Sequence, residues 1–148
     1  MTYQIDQSGK VEDTHRLTVV AYANGRIKSV KIGSVEKRKL LAAMRTLDHP
    51  KRNYVYKIFA ALIYLLLADE KIDSVVIDRE YTGHEITIKG FLVYLLNKNG
   101  RSVPSIVFDC VGKSSPAHGA VVDVFRGKKE ADLVVNAKEV LRLCYERK

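Results

Sequence analysis

The alternation of apolar and polar residues predicts a group of short strands near the start of the chain. Residues Thr2 to Asp6 form the first strand, and two further apolar runs flank Asn24-Gly25. Asn-Gly favours a tight hairpin because both central residues of that turn need positive φ. The segment Gln7-Ser8-Gly9-Lys10 supplies the turn into the hairpin. The sequence therefore predicts three consecutive antiparallel strands.

The hairpin also has a predicted register. A two-residue turn at Asn24-Gly25 pairs Ala23 with Arg26, and the ladder can then be extended outward along both strands. The pairs that follow are Leu17 with Ile32 and Val19 with Val30. We therefore expect one apolar face shared by both strands.

The pattern then changes to helical spacing. The first helix carries an apolar stripe and stops at His49-Pro50, where proline interrupts it. A second helix, from Tyr54 to about Ala68, is apolar on nearly every side, so neighbouring elements should cover it. The stripe of the first helix is Leu40, Leu41, Met44 and Leu47.

The second half of the chain alternates strands and helices. We predict strands at Ser74 to Asp78 and Ser105 to Val111, with a helix between them that stops at Asn99-Gly100. This unit should form a right-handed parallel crossover, which brings the carboxyl ends of both strands to one edge of the sheet. The helix between the strands presents Ile88, Phe91, Leu92, Leu95 and Leu96 on one face. A last helix, Leu133 to Cys144, has Val134, Ala137, Leu141 and Cys144 as its core stripe.

Length and composition favour a single domain, 1–148, because 148 residues can bury an ordinary core and no stretch is of low complexity. Cys110 and Cys144 form no CxxC pair and lie in apolar surroundings, so we expect buried thiols in a reducing, cytoplasmic compartment. The longest apolar stretch is shorter than the roughly 20 residues that a membrane span needs. The N-terminus lacks the pattern of a secretory signal.

Charge points to the class of partner. The formal net charge is +8 at pH 7, which favours polyanions such as DNA or RNA. The basic groups Lys37-Arg38-Lys39, Lys51-Arg52 and Arg126-Gly127-Lys128-Lys129 are either solvated surfaces or parts of a phosphate track. A second copy of the chain, in a homodimer, is a further candidate partner, and a membrane is not expected.

Two aspartates are the strongest candidates for chemistry. Asp6 and Asp78 each close an apolar strand, and neighbouring strand ends are where α/β proteins bind ligands. Taken singly, each is also an ordinary turn residue. Together their carboxylates suit Mg²⁺ or Mn²⁺, which prefer oxygen ligands.

The order of three antiparallel strands, helix, strand, helix, strand and helix, with acids on the first and fourth strands, resembles the ribonuclease H-like superfamily, which includes Holliday-junction resolvases and Piwi domains. The resemblance implies an α/β fold with a mixed five-stranded sheet, three antiparallel strands then two parallel, flanked by helices. It implies that the first and fourth strands are parallel neighbours. It also implies metal-dependent hydrolysis of phosphodiester bonds, with Asp6 and Asp78 sharing the metal ions.

The resemblance further implies a ligand from a later helix. His118 and Asp123 both follow the helix start at Ser114 to Pro116, and His118 is preferred because it lies in the first turn. Glu80 has the strand parity of Asp78 and is an additional candidate. The usual acid in the first helix is not evident, because Glu36 only starts that helix.

The turn Gly112-Lys113-Ser114 is a candidate phosphate site. It lacks the upstream glycine of a Walker motif, since Val107 stands there. The amide groups of a helix N-terminus and the charge of Lys113 nevertheless suit an anion, and the same residues also suit an ordinary strand-to-helix turn.

These expectations lead to one leading hypothesis and one alternative. The leading hypothesis is a Mg²⁺- or Mn²⁺-dependent nuclease with Asp6, Asp78, and either His118 or Asp123 in its catalytic site. The alternative is a non-catalytic module that binds nucleic acid or protein on the same fold.

Overall fold

Within residues 2–47 and 53–145, which a computed structural model describes, six strands form one mixed sheet flanked by five helices. The strands are β1 (Thr2–Ser8), β2 (Thr18–Ala23), β3 (Ile27–Ile32), β4 (Ser74–Asp78), β5 (Ser105–Asp109) and β6 (Leu133–Val135). The helices are α1 (Ser34–Leu47), α2 (Tyr54–Leu67), α3 (Glu85–Lys98), α4 (Pro116–Phe125) and α5 (Ala137–Tyr145).

The strands lie in the order β5-β4-β1-β2-β3-β6. Strands β1, β2 and β3 are antiparallel to one another, while β4 is parallel to β1 and β5 is parallel to β4. The predicted mixed α/β sheet, three antiparallel strands followed by two parallel ones, is thereby confirmed. The predicted number of five strands is wrong.

The sixth strand comes from the segment that the sequence assigned to the last helix. Residues Leu133–Val135 pair in parallel with the outer edge of β3, and α5 begins only at Ala137. Val134 is 63% exposed and belongs to no core stripe. Asn136 accepts the backbone N–H of Glu139 at 2.9 Å, so the helix is capped here and cannot extend back to Leu133. The apolar residues Leu133–Val135 instead form the strand that pairs with the outer edge of β3 and completes the sheet.

The register of the β2–β3 hairpin also differs from the prediction. Ala23 pairs with Ile27, so the connection has three residues, and the N–H of Asn24 donates to the carbonyl of Arg26 at 3.0 Å. Only Gly25 has positive φ (71°), whereas the two-residue turn needs it at Asn24 as well. The resulting shift by one residue moves alternate side chains to opposite faces.

That shift buries both faces of β2. Val20 and Tyr22 face the main core, while Val19 and Ala21 face α4 on the other side of the sheet. The predicted single apolar face of the hairpin is therefore wrong. A strand that is covered on both sides is apolar at nearly every position. The alternation of apolar and polar residues therefore does not show which side chains share a face.

The helices agree with the predicted pattern except at their ends. In α1, Leu40, Leu41 and Met44 are buried but Leu47 is 56% exposed. Helix α2 is buried over most of its length, and α3 ends before Asn99-Gly100, with Gly100 at a φ of 68°. The predicted interruption at His49-Pro50 and the basic pair Lys51-Arg52 lie outside the described residues.

Both cysteines were expected to be buried, and this is wrong. Cys110 is exposed after the end of β5, and Cys144 is half-buried in α5.

Strand β5 also ends earlier than predicted, at Asp109 rather than Val111. The chain turns away from the sheet there, and the N–H of Val111 donates to Asp78 Oδ1 at 2.7 Å instead of continuing the ladder.

The two faces of the sheet are covered unequally. The main core unites β-sheet side chains with those of α1, α2, α3 and α5. Helix α4 packs on the opposite face, against β1, β2 and β3. Even-numbered side chains of β1, including Asp6, therefore point to the α4 side, because Tyr3 and Ile5 belong to the main core.

Candidate metal centre

Parallel pairing brings Asp6 and Asp78 side by side. The ladder between β1 and β4 ends with the pair Ile5 and Ile77, so the next residue on each strand is an aspartate. Side chains at paired positions point to the same face, which here is the face of α4. One detail of the sequence prediction is wrong, because β1 continues to Ser8 and Asp6 does not close it. Asp6 lies where β1 loses its partner β4.

Glu80 joins these two aspartates from the turn after β4. Its N–H donates to the carbonyl of Asp78 at 2.9 Å, which folds the chain back toward the sheet. Carboxylate oxygens of Asp6, Asp78 and Glu80 all lie within 4.8 Å of one another. This group of three residues, called the acidic group below, could hold a metal ion.

The surroundings disfavour a full set of negative charges in the acidic group. Asp6 is only 3% exposed, and burial raises its pKa even though hydrogen bonds from Gln7 and His118 act in the opposite direction. Burial raises the pKa of Glu80 to about 8, assisted by a hydrogen bond to Asp78 and by the charges of Asp78 and Asp6. A cation would relieve this repulsion, and the hard carboxylate oxygens suit a hard cation.

His118 lies beside the acidic group in the first turn of α4. The N-cap of this helix is Ser115, whose hydroxyl accepts the backbone N–H of His118 at 3.1 Å, and Pro116 is its first residue. His118 Nδ1 is 2.9 Å from Asp6 Oδ2, while Asp6 Oδ1 accepts the N–H of Gln7 at 2.8 Å. Both oxygens of Asp6 are thus held in position, and the role of His118 as a metal ligand stays a prediction.

Asp123, the other candidate on α4, is exposed and is not a member of the acidic group. It lies five residues after His118, which is about 140° around a helix. Its backbone carbonyl accepts the N–H of Lys128 at 2.9 Å, close to the helix C-terminus. A catalytic role for Asp123 stays a prediction.

Lys113 and Ser114 are exposed in the turn that connects β5 to α4. The carbonyl of Gly112 accepts the N–H of Ser115 at 2.9 Å, so this segment forms a tight turn next to the first residues of the helix. The capping serine is Ser115, which places Ser114 one residue before the cap. Phosphate binding by Lys113 and Ser114 stays a prediction.

Asp109 is a candidate that the sequence analysis missed. It pairs with Asp78 across β4 and β5, so three aspartates follow one another along neighbouring parallel strands. Asp109 is exposed, and its Oδ1 accepts the N–H of Cys110 at 2.8 Å. The signal was present, because Asp109 closes an apolar strand as Asp78 does. Extending the strand to Val111 concealed it.

Helix α1 supplies no carboxylate to the acidic group among the described residues. Glu36 instead accepts the N–H of Ala137 at 3.0 Å, at the start of α5, and pairs with Lys39 at 3.1 Å. Both contacts lower the pKa of Glu36. Glu36 therefore stabilises the start of α5, away from the acidic group.

Lys37 was assigned to a solvated or phosphate-binding surface, and this is wrong. Its side chain is fully buried, and its ammonium donates to the carbonyls of Lys10 and Asp13 and to the hydroxyl of Thr18. Burial lowers the pKa of Lys37 to about 8. Lys37 therefore fixes the loop between β1 and β2 and adds nothing to a surface track, whereas Arg38 and Lys39 are exposed.

Comparison with known proteins assigns this chain to no family. Neither protein-family models nor curated proteins gave a match to this chain. Among the described residues, no helix has both the length and the apolar character that crossing a membrane requires.

Proposed function

We propose that this chain is a divalent-metal-dependent nuclease that hydrolyses phosphodiester bonds in nucleic acid. The observation that carries the proposal is the convergence of Asp6, Asp78 and Glu80 to within 4.8 Å at the ends of two parallel strands. Mg²⁺ or Mn²⁺ is the metal that such a set of oxygen ligands favours.

The residues present suit the demands of this chemistry. A divalent cation held by the acidic group would supply activation of water and neutralisation of charge on the leaving oxygen. Asp6 is held rigidly for this role, because Gln7 and His118 each contact one of its oxygens. Asp78 accepts the N–H of Val111, so its carboxylate is also oriented by a neighbouring segment.

The topology supports the resemblance to the ribonuclease H-like superfamily. That resemblance implies acids on parallel neighbouring first and fourth strands, and β1 and β4 are such a pair. Strand β6 and the orientation of Glu36 depart from the expected pattern. In this chain, Glu80 takes the place of a carboxylate from the first helix.

A non-catalytic binding module is the second candidate. It is favoured by one observation, that α1 directs Glu36 to the start of α5 and away from the acidic group. Such a module would use the net charge of +8 to hold nucleic acid without cleaving it.

Titration with Mn²⁺ and a cleavage assay test the proposal together. The parent protein should bind Mn²⁺ saturably and cleave one or more of single-stranded DNA, duplex DNA, RNA, an RNA–DNA hybrid and a four-way junction. Asp78→Asn should abolish cleavage and weaken Mn²⁺ binding, because it removes a charged ligand. Asp73→Asn is the matched control, since Asp73 is exposed just before the start of the same strand.

The outcomes separate the two candidates. Saturable Mn²⁺ binding with cleavage that Asp78→Asn abolishes supports the nuclease. Nucleic-acid binding without cleavage of any of these substrates, and without Mn²⁺ binding, supports the binding module and overturns the proposal.

A further inference from the structure

Tyr81 forms a buried hydrogen-bond centre behind the acidic group. The residue is only 7% exposed, yet its hydroxyl has three partners. It accepts from Gln7 Nε2 at 3.1 Å and from the N–H of Val11 at 3.0 Å, and it lies 3.3 Å from Glu12 Oε1. Because the hydroxyl accepts from Gln7 and Val11, its own hydrogen is donated to Glu12.

The two partners Gln7 and Tyr81 are the direct neighbours of two members of the acidic group. Gln7 follows Asp6 on β1, and Tyr81 follows Glu80 after β4. Successive residues of strand β1 point to opposite sides, so Gln7 lies on the core side and Asp6 on the α4 side. Tyr81 belongs to the main core, whereas the Glu80 carboxylate lies with that of Asp6. The bond between Gln7 and Tyr81 therefore ties together, from the core side, the two backbone segments that present Asp6 and Glu80 on the other side.

The position of the Tyr81 hydroxyl is itself fixed. The ring makes edge contacts with Phe59 and Tyr56 of α2, with centroid distances of 5.2 and 5.7 Å. Tyr81 contacts Val11 and Glu12 of the loop between β1 and β2. Lys37 holds the flanking residues of this loop by donating to the carbonyls of Lys10 and Asp13. The loop between β1 and β2 is thus held between a helix lysine and Tyr81.

Burying the side chain of Gln7 lowers the stability of the fold, which is unfavourable for a residue with a structural role alone. It is 6% exposed, and its Oε1 has no hydrogen-bond partner among the described residues. A buried acceptor without a partner lowers stability, so an apolar side chain would serve packing better. The amide nitrogen instead serves the bonds to Tyr81 and to the carbonyl of Gly9.

The geometry points to Gln7 and Tyr81 as a positioning pair that sets the separation of the Asp6 and Glu80 carboxylates for metal binding. The pair touches neither substrate nor metal. This inference rests on the proposed function, and it predicts that metal affinity depends on a hydroxyl that lies on the opposite side of the chain from the acidic group.

Tyr81→Phe tests the pairing because it keeps the ring and removes only the hydroxyl. Mn²⁺ affinity, measured by calorimetry or electron paramagnetic resonance, should fall about tenfold or more, as is typical when a group that orients a ligand is lost. Gln7→Leu should cause a similar loss. The double variant Gln7→Leu/Tyr81→Phe should lose little more than either single variant, because both remove the same bond.

Val30→Ala is the control for a general loss of stability. Val30 is fully buried in β3, away from the acidic group, so this variant should melt earlier yet bind Mn²⁺ as the parent does. Excess Mn²⁺ should restore cleavage by Tyr81→Phe, since the defect is one of metal affinity.

The failure of the pairing and that of the proposed function can be told apart. If the parent binds Mn²⁺ and Glu80→Gln binds it weakly, but Tyr81→Phe binds it normally, the pairing alone is overturned. If Val30→Ala loses Mn²⁺ affinity as Tyr81→Phe does, the effect is one of stability and the pairing is again overturned. A parent protein that binds no Mn²⁺ overturns the proposed function and the pairing together.

Discussion

Asp6 is buried on β1, whereas Asp123 is exposed on α4, and this difference in surroundings separates their chemistry. The same contrast holds for lysine, since Lys37 is fully buried and its neighbour Lys39 is exposed. Burial makes an ionised group costly unless partners compensate it. At the scale of residues, the acidic group is unusual because three carboxylates share a partly buried position.

The raised pKa of Glu80 predicts how stability depends on pH in the metal-free protein. Between the ordinary pKa of 4.5 and the folded value of about 8, the folded state binds more protons than the unfolded state. Stability therefore falls as pH rises through this window. Over most of this window Lys37 is protonated in both states and does not change the pH dependence, and near its folded pKa of about 8 it acts in the opposite direction.

Glu80→Gln should flatten this dependence. Urea melts of parent and variant, each with EDTA, should show a stability difference that grows in favour of the variant from pH 5 to pH 8. Apparent Mn²⁺ affinity of the parent should rise by up to about tenfold per pH unit over the same range, because binding displaces a proton. Parallel pH dependences of the two proteins would contradict the assignment.

At the scale of elements, a turn sets the register of the β2–β3 hairpin, and an open sheet edge accounts for strand β6. The β2–β3 connection has three residues because only Gly25 takes positive φ, and β6 forms because β3 would otherwise have an unpaired edge. In both cases the sequence located the apolar residues, but it assigned Val134 to a helix stripe and paired the hairpin strands one residue out of register. Their partners, however, lie across a turn or far along the chain.

Two glycine substitutions should shift stability in opposite directions. Gly25→Ala should destabilise the protein by about 1–2 kcal/mol, because alanine is strained at a φ of 71°. Gly90→Ala should stabilise it by up to about 1 kcal/mol, since Gly90 lies within α3 and alanine is the better helix former. Neither added methyl group meets an atom within 4 Å, so contacts do not confuse the comparison.

Thermal and urea melts of these two variants and the parent provide the measurement. An unchanged melting temperature for Gly25→Ala would mean that the turn relaxes to another geometry and that the register of the hairpin is not set there.

At the scale of the whole molecule, the acidic group lies on the face of the sheet that carries α4, while four helices cover the other face. Lys113 lies in the turn that leads into α4, near the same edge. A negatively charged substrate would thus approach a negative centre on a protein of net charge +8. Metal binding and surrounding basic residues would both be needed to offset the repulsion.

Nucleic-acid affinity should therefore fall steeply with salt concentration. Fluorescence anisotropy over a range of salt concentrations should show a linear log–log dependence, because bound counterions are released. Lys113→Ala should reduce the slope by about one while leaving Mn²⁺ affinity nearly unchanged. Lys89→Ala on α3 is the matched control and should leave the slope as it is. Equal effects of both variants would indicate a diffuse charge effect with no phosphate contact at Lys113.

Much of the fold could be read from local periodicity. Repeats of two and of three to four residues identified the first five strands, the helices α1 to α3, and the candidates Asp6 and Asp78. These assignments succeed because an element that buries one face must repeat its apolar residues at its own period. The acid at the end of β4 follows from the same pattern, since it stands where the apolar run stops.

Tertiary structure alone decided the rest. The approach of Glu80, the contact of His118 with Asp6, the burial of Lys37 and the pairing of β6 all join segments distant in sequence or folded back by a turn. Local spacing nominated Glu80 and His118 as candidate ligands, but it does not show which contacts form. Contacts depend on how whole elements pack and on which polar groups remain to be satisfied. The sequence by itself determined the first five strands, the helices α1 to α3 and two strand acids, whereas packing determined β6 and which side chains meet.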